Sequence, residues 1–341
     1  MSKLTDAEIA KALNATPSTP KVQVNAPTDI NVSLDEVESF GDKQSISKMY
    51  QDISSYNKML KQKITFINPA LSAAIPFTRE NLYLICAYTG NGKSTIAANI
   101  SYPLWKEGKK TLVISNEEPQ QDVMYRIACL ELGYNFNDYK KGTLPMQHQK
   151  ECALLFPEIS KYVKVIDVNY KGGLSTKIEG VKNALLAVKH ADYSAVMIDY
   201  FQLIQYSVSD PQRSRYNVLN DLRIWLGQYI RSSNIPVVMF AQLHSMAKRT
   251  NVELDSRIKE CPGILEPATV VLEVIPDFEN KSTKFLIKKD RFGFQGMKVE
   301  CAFTKGRYVE MTAEHILATQ QDKVDELMDK VADDVTDQES T

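Results

Sequence analysis

No apolar run in this 341-residue chain approaches the roughly 18 residues needed to cross a membrane. Its opening residues, Met1-Ser2-Lys3-Leu4-Thr5-Asp6, carry no apolar signal core. Neither a membrane span nor a secretory leader is therefore expected. Cysteine is sparse: Cys86, Cys129, Cys152, Cys261 and Cys301 are scattered, with no Cys-x-x-Cys and no zinc-type spacing. They read as small core side chains in a reducing compartment, so the expected location is cytoplasmic. Charge of one sign is lacking too, since 41 Lys and Arg face 42 Asp and Glu. Any nucleic-acid partner must then be met by a local basic patch and not by overall charge. There is no internal repeat. What remains is the composition of an ordinary globular protein, with room for one large α/β domain and an appendage.

The most informative stretch is residues 82–99. An apolar strand, 82–87, runs into Ala87-x-x-x-x-Gly92-Lys93-Ser94 and then into a helix beginning near Lys93. This is the phosphate-binding loop pattern with Ala in place of its first Gly. Main-chain N–H groups at a helix N-terminus cradle phosphate oxygens, aided by the helix dipole. The loop residues Thr89, Gly90, Asn91, Gly92, Lys93, Ser94 and Thr95 are the candidate nucleotide site. Lys93 is placed for the β- and γ-phosphates, and the Ser94 hydroxyl for Mg²⁺. ATP and Mg²⁺ are thus the expected ligands.

From residue 64 to about 312, short apolar strands alternate with amphipathic helices, which predicts an α/β fold around a mostly parallel twisted sheet covered on both faces. Strands are expected at 82–87, 111–115, 163–168, 194–199, 236–240, 269–274, 284–289 and 298–303. Helices are expected at 93–106, 119–132, 175–190 and 216–232. Residues 132–159 read as irregular, with a short helix near 146–155. Ahead of this core, residues 1–43 read as a flexible segment and 44–63 as an amphipathic linker helix, packed on its own domain or on an adjacent subunit. Behind it, 313–341 is an acidic tail, with eight Asp and Glu between 321 and 341 against Lys323 and Lys330.

Three further positions carry chemistry. Strand 194–199 ends in Asp199, a carboxylate suited to Mg²⁺ opposite Ser94. Strand 111–115 is followed by Asn116-Glu117-Glu118-Pro119. Glu117 is the candidate general base for the attacking water, because Glu118-Pro119 reads as the start of the next helix. Gln242, after strand 236–240, can hydrogen-bond the γ-phosphate or its water.

Together these pieces resemble the RecA-like ATPases and, within them, the DnaB-type replicative helicase domain. The resemblance covers residues 64–310 and rests on the loop at 87–94, Ser115-Asn-Glu117, Ile198-Asp199-Tyr200-Phe201-Gln202-Leu203, Pro236-Val-Val…Ala241-Gln242-Leu243 and Ile287-Lys288-Lys289-Asp290-Arg291-Phe292-Gly293. It implies an ATP-driven, ring-shaped homo-oligomer, a hexamer, that translocates on single-stranded DNA and separates duplex in replication. It further implies that Lys289 and Arg291 reach the ATP of a neighbouring subunit. DNA contact is expected on loops 205–216 (Arg213, Arg215) and 244–262 (Lys248, Arg249, Arg257, Lys259). Primase, a helicase loader and a single-strand-binding protein are the expected partners. The family's usual N-terminal helical domain has no counterpart in 1–43, so a compact, phage-type helicase is expected. Two rivals stand beside this reading: a RecA-like recombinase or mediator that forms filaments, and a RecA-fold regulatory ATPase.

Overall fold

A computed structural model describes residue 51 and residues 66–317 except 76, 79, 190, 206–213, 234, 245–253, 259 and 316. The chain divides into two compact units, 1–55 and 56–341, and all described residues but Gln51 belong to the second. The linker helix expected at 44–63, and all but a few residues of the acidic tail, lie outside the described residues.

A nine-stranded sheet organises the described part, in the order β3-β2-β4-β5-β1-β6-β7-β8-β9. Its first six strands are parallel: β3 (Val163–Ile166), β2 (Thr111–Ser115), β4 (Ala195–Asp199), β5 (Val237–Gln242), β1 (Leu82–Ala87) and β6 (Val270–Asp277). β7 (Ser282–Asp290), β8 (Lys298–Thr304) and β9 (Arg307–Glu310) extend it as antiparallel hairpins.

Burial on both faces explains why the central strands read as unbroken apolar runs. All six residues of β1 are buried. Tyr83, Ile85 and Ala87 face one core, and Leu82, Leu84 and Cys86 face the other. The first core is closed by α1 (Pro69–Ala74), α2 (Lys93–Lys106), α3 (Gln120–Leu132), α4 (Phe136–Lys140) and α5 (Met146–Tyr162). The second is closed by α6 (Ile178–Lys189) and α7 (Arg215–Ser233), with α8 (Leu254–Arg257) at its margin.

The expected strands and helices recur with shifted ends, but residues 132–162 differ. In place of the expected irregular stretch, α4 and the 17-residue α5 form a helical pair against α3. Helix α5 fully buries just Cys152 and Ile159 and runs through Pro157, so neither strong periodicity nor an uninterrupted helical sequence announces it. The four-residue β9 is a further addition to the expected strands. It matters because Tyr308 on it lies against the phosphate loop.

Candidate nucleotide site and its surroundings

β1 delivers the chain to the C-terminal edge of the parallel sheet, where a sharp reversal must precede α2. Gly90 and Gly92 make it at φ +79° and +82°, the left-handed region that favours glycine. Gly92 also caps α2 without a side-chain hydrogen bond, and an added Cβ there would lie 3.0 Å from the Tyr308 hydroxyl. A helix start approached by bare backbone is an anion-binding arrangement. Lys93, the first residue of α2, is 7% exposed, with its ammonium 5.2 Å from the centre of the Tyr200 ring. Burial lowers its pKa, while the charges of Asp199 and then Glu117 work in the opposite direction.

Asp199 ends β4 one strand from Ser115, with which it is in register. It is 3% exposed, and burial pushes its carboxyl up to about 6, against a hydrogen bond from Ser94 and the charge of Lys93. Its Oδ1 is buried and finds no hydrogen-bond partner among the described residues. A buried carboxylate oxygen left open beside the Ser94 hydroxyl fits the ligand set of a Mg²⁺ ion carried in with a nucleotide.

The two consecutive glutamates separate cleanly. Glu118 is committed to the fold: its carboxylate meets Arg126 Nη2 at 2.5 Å, and its main chain exchanges hydrogen bonds with Ser115 Oγ. Glu117 is exposed, and its charge acts on both Lys93 and Asp199. Pro119 caps α3 and does not begin it; the first helical N–H, of Gln120, is taken by Asp167 Oδ2 at 2.7 Å.

Gln242, the last residue of β5, donates from Nε2 to Thr89 Oγ1 at 2.7 Å and so touches the phosphate loop directly. Buried Gln202 clamps it: Gln202 Nε2 donates to the Gln242 carbonyl at 3.0 Å, and Gln202 Oε1 accepts from the Gln242 N–H at 3.1 Å. The sequence shows Gln202 within a motif but does not reveal this task. Nor does it reveal Arg126, which donates to Thr95 Oγ1 at 3.1 Å as well as to Glu118 and lies 3.9 Å above the Phe136 ring. The available signal was a lone arginine among the buried Val123, Met124 and Ile127 of α3.

Lys289 and Arg291 are not brought to this site. β7 runs antiparallel to β6, so its end lies beside the start of β6: Lys289 pairs with Val271, and Arg291 N–H donates to the Thr269 carbonyl. Thr269 N–H in turn donates to the carbonyl of Leu82, at the start of β1. Arg291 is thus level with Leu82, five residues or roughly 16 Å of strand from Ala87. Lys289 Nζ donates to the carbonyls of Leu265 (2.6 Å) and Glu266 (3.1 Å), and Arg291 Nη2 to that of Glu266 (3.2 Å). Of the residues expected to meet DNA, Arg215 opens α7, while Arg213, Lys248, Arg249 and Lys259 lie outside the described residues. Arg257 requires a correction: its guanidinium is held internally by Glu273 at 2.6 and 2.7 Å and is not presented to a ligand.

A phosphate loop, a strand-end aspartate, an exposed glutamate on the adjoining strand and a strand-end glutamine together define a RecA-like nucleotide hydrolase. Comparison with protein families then gives the branch: the profile described as DnaB-like helicase C terminal domain matches residues 72–310. The chain belongs to that family, and it is an ATP-dependent replicative DNA helicase. Solved structures agree on the fold. An ATPase domain solved by itself has a TM-score of 0.64 at 17% identity, with 80% of this chain and 100% of that one covered. A DnaB-like replicative helicase, described with its interactions with primase, also reaches 0.64 at 17% identity, covering 81% and 68%. A KaiC-like protein from the archaeon Pyrococcus horikoshii reaches 0.50 at 16% identity, covering 74% and 99%. A comparison with curated proteins returned no match.

Proposed function

We propose that this helicase works as a ring, a hexamer, in which each ATP is hydrolysed between two subunits as single-stranded DNA is drawn through. The observation that carries this reading is the division of the sheet: the phosphate loop stands at one edge, while Lys289 and Arg291 stand at the opposite one. Within one chain Arg291 is too distant to meet its own γ-phosphate; on a neighbour it can.

In this reading Lys93 and the loop N–H groups hold the phosphates, and Thr89 to Thr95 line them. Ser94 and Asp199 hold Mg²⁺, which when bound spreads the negative charge of the reacting phosphates. Glu117 accepts the proton of the attacking water, a role open to it because Glu118 is engaged by Arg126. Gln242 aligns the water or γ-phosphate and transmits the state of the loop to the end of β5. Arg291, with Lys289 beside it, is supplied by the adjoining subunit as a planar, permanently charged group for the developing charge. Arg213, Arg215, Lys248 and Arg249 meet DNA phosphates without reading sequence. A cytoplasmic setting follows from the replicative role. Primase is the partner favoured by the likeness to a helicase described with it, and a loader and a single-strand-binding protein complete the expected set.

Electron microscopy of the full chain with single-stranded DNA and a non-hydrolysable ATP analogue tests the reading. Closed or lock-washer rings are expected. A helical filament would favour the recombinase alternative, and isolated protomers would contradict assembly-dependent hydrolysis.

A further inference from the structure

Arg257 was expected to face DNA, and its actual surroundings suggest another task. Its guanidinium forms a two-pronged pair with Glu273, whose side chain is 4% exposed on β6. Glu273 is in register with Cys86, one residue before the phosphate loop begins, and Lys288 Nζ lies 3.7 Å from its other side. A buried carboxylate compensated in this way is a fixed anchor, and a fork held by both prongs has little freedom to turn. From that seat Arg257 Nη1 also reaches the hydroxyl of Tyr88, at 3.3 Å. Tyr88 is the loop residue immediately before Thr89, the one that Gln242 holds.

The main chain repeats the pattern. Leu243 N–H donates to the Ala87 carbonyl at 3.0 Å, His244 N–H donates to the Arg257 carbonyl at 2.9 Å, and Leu243 bridges to Ile258. The chain leaving β5 and the chain returning through α8 are therefore joined to each other and to consecutive residues of the phosphate loop. Gln242 makes one attachment, on Thr89; Arg257, seated by Glu273, makes the other, on Tyr88.

We propose that Arg257 is a positioning residue of the ATPase site, holding the entry of the phosphate loop through Tyr88 as Gln242 holds it through Thr89. It touches neither nucleotide nor DNA; it fixes where the loop stands when ATP arrives. The proposal rests on the ATPase reading of this site and adds to it a residue that none of the phosphate-loop motifs contains.

A double-mutant cycle in the full chain tests it. Arg257→Lys keeps a positive charge but loses the fork, and Tyr88→Phe removes one hydroxyl oxygen and leaves the Arg257–Glu273 pair intact. Each single variant should lower kcat/KM for ATP by about 3- to 10-fold, the scale of one hydrogen bond to a charged group. The loss should fall mainly in KM, with the melting temperature of nucleotide-free Tyr88→Phe unmoved. The double variant should be no worse than the weaker single one, because both remove one contact. Losses that multiply in the double variant, or a wild-type kcat/KM in Tyr88→Phe, would overturn the proposal, and the latter decides alone if Arg257→Lys does not fold. Binding of a fluorescent ATP analogue is carried through the same cycle. Absence of turnover in the unmutated chain would strike at the ATPase reading, and the binding arm would then decide the positioning role by itself.

Discussion

The two ends of the parallel sheet treat charge in opposite ways. At the C-terminal end, Lys93 and Asp199 are almost wholly buried, and burial shifts both towards their neutral forms. Asp199 keeps an oxygen without a hydrogen-bond partner among the described residues. Such an end is arranged around charges brought in from outside, and its electrostatic cost is recovered when they bind. At the other end, Lys289 and Arg291 lean on main-chain carbonyls, Lys289 half-buried and Arg291 exposed. This second end is held in shape without being spent. The contrast indicates that half of a reaction site stands at each end, and that one chain cannot bring its own halves together.

The largest effect expected follows from the first end. Lys93→Ala removes the charge opposite the β- and γ-phosphates, and ATP turnover should fall to background, measured by phosphate release. Turnover near that of the unmutated chain would break the comparison at its root.

Next comes the pair of glutamates, which sharpens it. Glu117→Gln should slow hydrolysis by about 10²–10⁴-fold while ATP still binds. Glu118→Gln should act mainly on stability, because it weakens the ion pair with Arg126, a cation only 13% exposed. A kinetic loss confined to Glu118→Gln would move the base by one residue.

The smallest effect concerns stability and has a definite sign. Folding raises the Asp199 carboxyl from 3.8 to about 6, so the folded chain holds this proton more tightly than the unfolded one. The cost of the buried carboxylate is absent below pH 3.8 and develops as pH rises from about 4 to 6. In nucleotide-free protein this cost should be missing from Asp199→Asn, which should be the more stable by about 1–3 kcal/mol at pH 7. Thermal melts across the window check this, and identical pH slopes in the two proteins would contradict it.

Sequence made the first end far more legible than its supports. The β1–α2 junction could be read to the residue, because a phosphate loop demands glycine, lysine and a hydroxyl at set spacings. Asp199 and Glu117 followed, because each closes an apolar strand. Gln202 and Arg126 were hidden for a shared reason: they act on neighbours distant in sequence, Gln242 and Thr95, through contacts that no spacing announces. Arg257 was misread outright, since a basic residue in a polar stretch resembles a phosphate contact until its partner on β6 is seen. Helix α5 escaped because it packs through so few residues. Lys289 and Arg291 were legible as a motif, but their distance from the phosphate loop emerges only from strand order and register.

The central claim is that the two ends meet across a subunit boundary, and mixing tests it most directly. Arg291→Ala subunits keep an intact phosphate loop; Lys93→Ala subunits keep an intact Arg291. Each alone should be nearly inactive, since an arginine supplied in trans is worth roughly 10³–10⁵ in rate where it is known. Rings assembled from both should regain turnover at the interfaces where an intact loop faces an intact arginine, with the recovery tracking the mixing ratio. No recovery in rings shown to contain both variants would contradict the claim and place Arg291 outside the reaction or within its own chain's site.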